Sequence, residues 1–104
     1  MKIKINNKKL DVKLCDTFTS KLIGLMFSKR KNLLFEFNNE GYHAIHMFFV
    51  FYPVRIAWIN KNKKVVDVKL AYPFQPLLAP KEKAMYVLEA HPNFDIRLND
   101  EIVL

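Results

Sequence analysis

Ala44-Ile45-His46-Met47-Phe48-Phe49-Val50-Phe51-Tyr52-Pro53 decides how the rest of the chain is read, because nine of its ten residues are apolar or aromatic and only His46 is strongly polar. A run this short cannot cross a bilayer, which takes about 20 apolar residues. β-branched and aromatic side chains ending at a proline favour a central strand buried on both faces over a helix. The expectation is an extended interior ribbon with the neighbouring hairpins wrapped around it.

Upstream of this stretch, Ile3 and Ile5 alternate with Lys2 and Lys4, and Leu10, Val12 and Leu14 alternate with Asp11 and Lys13. The turn chemistry of Asn6-Asn7-Lys8-Lys9 between them predicts an opening hairpin. From Thr17 the period changes: Phe18, Leu22, Leu25 and Met26 share one helical face, with Asp16 or Thr17 placed to cap the free N–H groups. The predicted helix ends near Ser28, where Lys29-Arg30-Lys31 suits the negative end of its dipole. Gly24 inside it predicts a close backbone approach or the end of the helix. Leu33 to Phe37 then makes a brief strand, closed by the turn residues Asn38-Asn39-Glu40-Gly41.

Downstream, Ile56 and Trp58 alternate with Arg55 and Ala57, and Val66, Val68, Leu70 and Tyr72 alternate with Asp67, Lys69 and Ala71. With Asn60 to Lys64 at the tip, this is the clearest hairpin in the chain. Pro73, Pro76 and Pro80 interrupt any ladder of N–H groups, which predicts a loop pinned by Phe74, Leu77 and Leu78. Met85 to Ala90 forms a strand, His91-Pro92-Asn93 breaks it, Phe94 to Arg97 makes at most a helical turn, and Glu101 to Leu104 is a last short strand. The fold class that follows is mainly β (α+β): a small antiparallel β-barrel or curled sheet of about seven short strands with one short helix packed across it.

At 104 residues the chain is a single domain over 1–104, long enough to bury about two-thirds of its unfolded surface without staples. The lone Cys15 excludes an intramolecular disulfide, and Met1-Lys2-Ile3-Lys4 lacks the apolar run of a secretion signal. A reducing, cytoplasmic setting with no membrane segment is the expectation. The charge of +7 is lopsided: residues 1–31 carry nine Lys/Arg against Asp11 and Asp16, whereas residues 32–104 carry eight of each sign. All the excess therefore sits in the first third, as a solvated Lys-rich surface or as a basic face for nucleic acid or an acidic partner.

The order of features resembles a known family. A Thr-containing segment precedes Gly24-Leu25-Met26, followed by Leu33-Leu34-Phe35-Glu36-Phe37, His46-Met47 with Pro53, Val87-Leu88-Glu89, and Asn99-Asp100. The chain is similar over about residues 12 to 104 to domain-of-unknown-function family 192, in its archaeal-like cytosolic form. That resemblance implies a compact, mainly β domain without an established activity or cofactor. Two departures from the family pattern are Pro53-Val54-Arg55, where an Asp is usual at the third position, and Ala90-His91-Pro92-Asn93, where a Gly-bearing turn is usual.

His43 and His46 are three apart, a spacing that sends them to opposite faces of a strand, and Cys15, Glu89 and His91 offer no zinc-like ligand pair. No metal or cofactor is expected. Cys15 and His46 as nucleophile and base find no local support, because strand alternation turns Cys15 away from the face of Leu10, Val12 and Leu14. Glu89 and Asp67 are carboxylates set in apolar strands, with Asp67 expected on the solvent face and Glu89 beside a Lys or a backbone turn.

Met26, His46, Met47, Trp58 and Glu89 combine polar atoms with apolar neighbours and are the expected lining of any ligand-binding cleft. Three functions follow. The first is a non-catalytic module binding a small ligand or a protein through that rim. The second is a nucleic-acid-associated protein using Lys8, Lys9, Lys29, Arg30 and Lys31 beside Phe27 and Trp58. The third is a hydrolase-like enzyme using Glu89 and His46.

Overall fold

The computed structural model describes residues 1–17 and 31–104. The helix predicted from Thr17 to Ser28 lies, past Thr17, outside the described residues, as do Met26, Lys29 and Arg30. Eight strands are described: β1 (Lys2–Ile5), β2 (Lys8–Asp11), β3 (Lys13–Cys15), β4 (Leu33–Gly41), β5 (Val54–Ile59), β6 (Val65–Ala71), β7 (Ala84–Ala90) and β8 (Ile102–Val103).

Both predicted hairpins form. β1 and β2 pair antiparallel from Lys2↔Asp11 to Ile5↔Lys8, and Asn6 and Asn7 at their tip have φ of 50° and 65°. That left-handed pair matches the twist of the flanking strands, and Asn tolerates it where most side chains do not. β5 and β6 pair from Val54↔Ala71 to Ile59↔Val65 with one bulge after Trp58.

The strands make two open sheets, ordered β2-β1-β8 and β3-β4-β7-β5-β6. The expected barrel is therefore corrected to two layers. Closure would need β3 to meet β6, but β3 is a three-residue strand running parallel to β4. The edge of β6 is instead tied to a loop through Asp67, whose Oδ1 accepts the N–H of Val68 and whose Oδ2 accepts the N–H of Lys81. Asp67 is thus buried, not on the solvent face as the alternation suggests. β4 also runs on to Gly41 through a bulge where a turn is expected from Asn38. Gly41 makes room there: a Cβ would stand 3.2 Å from Nε2 of His43, so that ring, stacked on Phe37, would have to shift by a few tenths of an ångström.

Strand alternation divides the core in two. On one face of the five-stranded sheet, Leu34, Ala57, Ile59, Val65 and Leu88 pack against Ile3, Ile5 and Ile102 of the small sheet. The other face carries Leu33, Phe35, Val54, Ile56, Trp58 and Val87, and is covered by Ile45, Met47, Val50 and Leu78.

The last group brings the main correction. Residues 44–53 are not a central strand: they form a covering loop that touches the sheet through every second or third side chain. Its one bridge joins Ile45 to Leu78. Five of the ten residues are apolar side chains turned inward or half inward, whereas Phe48, Phe49 and Phe51 point to solvent. Apolar content alone could not distinguish a buried ribbon from a lid with one wet face.

Candidate functional site

The covering loop is fastened to the proline-punctuated loop after β6. Ile45 and Leu78 exchange both backbone hydrogen bonds at 2.8 Å, and the Met47 N–H donates to the carbonyl of Gln75 at 2.8 Å. The Met47 carbonyl accepts two N–H groups, from Phe74 at 2.8 Å and Val50 at 3.2 Å. Gln75 closes its own turn, its Oε1 accepting the Tyr72 N–H at 2.7 Å.

The turns Met47–Val50 and Tyr72–Gln75 share an unusual feature. Phe49 has φ of 57° and Phe74 has φ of 64° at their third positions. A left-handed residue there is normally Gly or Asn, because a Cβ meets the following carbonyl at a cost of about 1–2 kcal/mol. Pro73 sets the second position of the later turn, as such turns favour. The two strained residues meet: the ring centroids of Phe49 and Phe74 are 6.1 Å apart, edge to face, and Phe51 meets Phe74 at 5.3 Å.

The result is an aromatic platform on two fixed turns. Phe48, Phe49, Phe51, Tyr72, Phe74 and Leu77 are all exposed, Phe51 by 60% and Leu77 by 69%. Phe74 and Leu77 therefore do not anchor their loop as expected, and Leu78 alone of the three turns inward. Residues 44–54 and 70–80 contain no Asp, Glu, Lys or Arg. Scattered single apolar residues on a surface need no explanation, but an uncharged aromatic cluster of this kind does.

Of the expected cleft residues, Met47 and Trp58 are fully buried in one cluster, with the Trp58 Nε1–H donating to the carbonyl of His43 at 2.8 Å. Glu89 projects from the same sheet face, between Leu33 and Ile56 on its neighbouring strands, and is buried. Burial pushes its carboxyl up to about 8, because desolvation disfavours the charged form. His46 stands apart, on the platform's rim, where its Nδ1 accepts the Phe48 N–H at 3.2 Å and its ring leans on Phe48. No hydrogen bond or ion pair joins His46 to Glu89 among the described residues. Of the four predicted residues that are described, three are core and one is rim; Met26 lies outside the described residues.

Cys15 is buried in the same cluster, turned from Val12 and Leu14 as the alternation predicts, and burial pushes its thiol up. Among the described residues no group of three His, Cys, Asp or Glu side chains could hold a metal ion. Of the basic residues, Lys8 is engaged with Asp95 at 3.7 Å and with the Phe94 ring at 5.9 Å, while Lys9 and Lys31 are exposed. Among the described residues no helix is long and apolar enough to cross a membrane.

The platform residues escaped the sequence reading, although two uncharged apolar segments bounded by Pro53, Pro73, Pro76 and Pro80 were a signal that could have found them. Comparison with known proteins gives consistent relatives. A family model described as Uncharacterized ACR, DUF192, matches residues 1–99. A UPF0127 protein of Thermococcus kodakarensis is 35% identical over 82 residues, covering 75% of this chain and 52% of that protein. One from Thermococcus sibiricus is 34% identical over 95 residues, covering 88% of this chain and 61% of its own length. The chain therefore spans between half and two-thirds of these relatives. Among solved structures, a protein of unknown function from Novosphingobium aromaticivorans superposes with a TM-score of 0.91 at 17% identity, over 99% of this chain and 84% of that one. A Sinorhizobium meliloti protein named as a candidate transcription regulator superposes with a TM-score of 0.89, also at 17% identity, over 98% of this chain and 91% of that one. At that identity the likeness is one of fold.

Proposed function

The chain belongs to the DUF192 family, and from that premise we propose that it is a non-catalytic binding module that docks a partner protein on its aromatic platform. One observation carries the reading: Phe49 and Phe74 hold left-handed backbone at adjacent turn tips and present their rings outward. Strain of this kind persists where the surrounding structure enforces it, and it clusters at functional positions. The surface also selects the partner class. Nucleic acid binds through cations set against phosphates, and the two platform segments contain none. Aliphatic or aromatic side chains of another protein complement exposed rings, which dominate interface cores.

A photoreactive side chain at position 51, expressed in the native cell, tests this. The expected result is one discrete cross-linked protein, lost when Phe49 and Phe74 are both changed to Ser and absent when the probe sits at exposed Lys2. A cross-linked species of twice the chain mass would assign the surface to a second copy instead. A smear indifferent to the Phe changes would remove the proposal.

A further inference from the structure

A second, independent site lies on the opposite side of the central sheet. Val54 and Ile56 both face the cluster under the platform, so alternation along β5 sends Arg55 to the side of the small sheet. There Arg55 meets the turn after β7, and its Nη2 donates to the carbonyl of Pro92 at 2.9 Å. Arg55, Pro92, Asn93, Phe94, Asp95 and Ile96 line a pocket of about 320 Å³, within the range of small-ligand sites. The turn holds itself: the N–H of Asn93 donates to Nδ1 of His91 at 3.1 Å, and the N–H of Phe94 donates to the His91 carbonyl at 2.9 Å.

Both signs of charge stand at the rim, with cations in excess: beyond the lining, the carboxylate of Asp100 accepts the Arg97 N–H at 2.8 Å. Asp95 is the single carboxylate in the lining, and it sits between Nζ of Lys8 at 3.7 Å and Nε of Arg97 at 3.4 Å. Arg55 adds a third cation. A guanidinium has five donors in a planar fork, and the Pro92 carbonyl uses one of them. The rest of that fork matches two oxygens of a single oxyanion, a geometry that Lys cannot reproduce. Beside it, half-buried Phe94 and buried Ile96 supply an apolar wall.

We infer that this pocket binds an oxyanion, phosphate or carboxylate, carried on a small flat apolar body, with Arg55 clamping the oxyanion and Phe94 taking the body. The inference does not depend on the platform. Amide shifts followed by NMR test it on the whole protein, titrated with phenyl phosphate, inorganic phosphate and benzoate at ionic strength held constant with sodium chloride. Saturable shifts confined to the 91–97 turn are expected, with phenyl phosphate binding at least about fivefold tighter than inorganic phosphate. Benzoate distinguishes the two oxyanions: equal binding assigns both, and weaker binding assigns phosphate. Arg55→Gln should weaken phenyl phosphate by roughly tenfold or more, the worth of a charged hydrogen-bond pair, and Arg55→Lys should restore part of it. Should Arg55→Gln fail to fold, Phe94→Ala takes its place, and it should erase the preference for phenyl phosphate. Shifts reproduced by sodium chloride, or affinities untouched by both substitutions, would overturn the inference. So would an Arg55→Gln variant that melts lower with unchanged titrations, because Arg55 would then only tether the turn.

Discussion

Phe49 and Phe74 oppose stability to exposure at the level of single residues. Each adopts backbone that glycine adopts freely, and each residue is close to half exposed, 44% and 45%. Relieving the left-handed strain by Phe→Gly returns about 1–2 kcal/mol, which roughly offsets the burial lost with a half-exposed residue. Phe49→Gly and Phe74→Gly are therefore expected to lie within about 1 kcal/mol of the parent in urea melts, while the cross-link from position 51 disappears. Losses above about 3 kcal/mol would show that the rings serve the core. Glu89 presents a different cost. Its folded carboxyl keeps its proton up to about pH 8, against 4.5 for the unfolded chain. Between those values the unfolded state binds fewer protons, so stability is fully present below pH 4.5 and declines as pH rises to about 8, by an amount on the order of a few kcal/mol. Glu89→Gln, which resembles the protonated form, should be more stable than the parent at pH 9, with the difference shrinking toward pH 5. Parallel curves for the two proteins would refute this assignment.

The elements differ in how openly the sequence announced them. Both hairpins were legible, because period-two alternation around Asn-rich tips has one economical reading, and the strand over Met85 to Ala90 was equally plain. The covering loop was not. Residues 44–53 have the composition of a buried strand, but Met47–Val50 turns on a left-handed Phe49, and no propensity rule points to a phenylalanine there. His46 follows the same rule: a strand over 44–53 would group it with Trp58 and Glu89, whereas the turn carries it to the rim. At Asp67 alternation predicts a direction but not what lies over it; a later loop folds back and supplies the Lys81 N–H. Removing that carboxylate leaves two buried-edge donors without their acceptor. Asp67→Ala is expected to cost about 1–3 kcal/mol and to speed amide exchange at Lys81 more than at residues of β7. Equal acceleration everywhere would mean that Asp67 has no local role.

At the scale of the whole molecule, two open layers share a central sheet whose faces have separate duties. One face is closed by the small sheet and the other by the loop that bears the platform. The family assignment holds even though its mid-chain segment is a lid instead of an interior ribbon, so the pattern shared along the chain belongs to this layered arrangement. Ile5 is fully buried between the layers, opposite Ile102 in the small sheet. Ile5→Ala should lower stability by about 2–5 kcal/mol with the platform cross-link retained in the folded fraction; loss of the cross-link at full stability would show the two faces to be coupled. The pairing of Lys4 with Val103 also has a bearing on synthesis. The ladder between β1 and β8 joins the first of the described strands to the last, so a nascent chain emerging from the ribosome must keep Ile3 and Ile5 unsheltered by β8 until translation has passed residue 103.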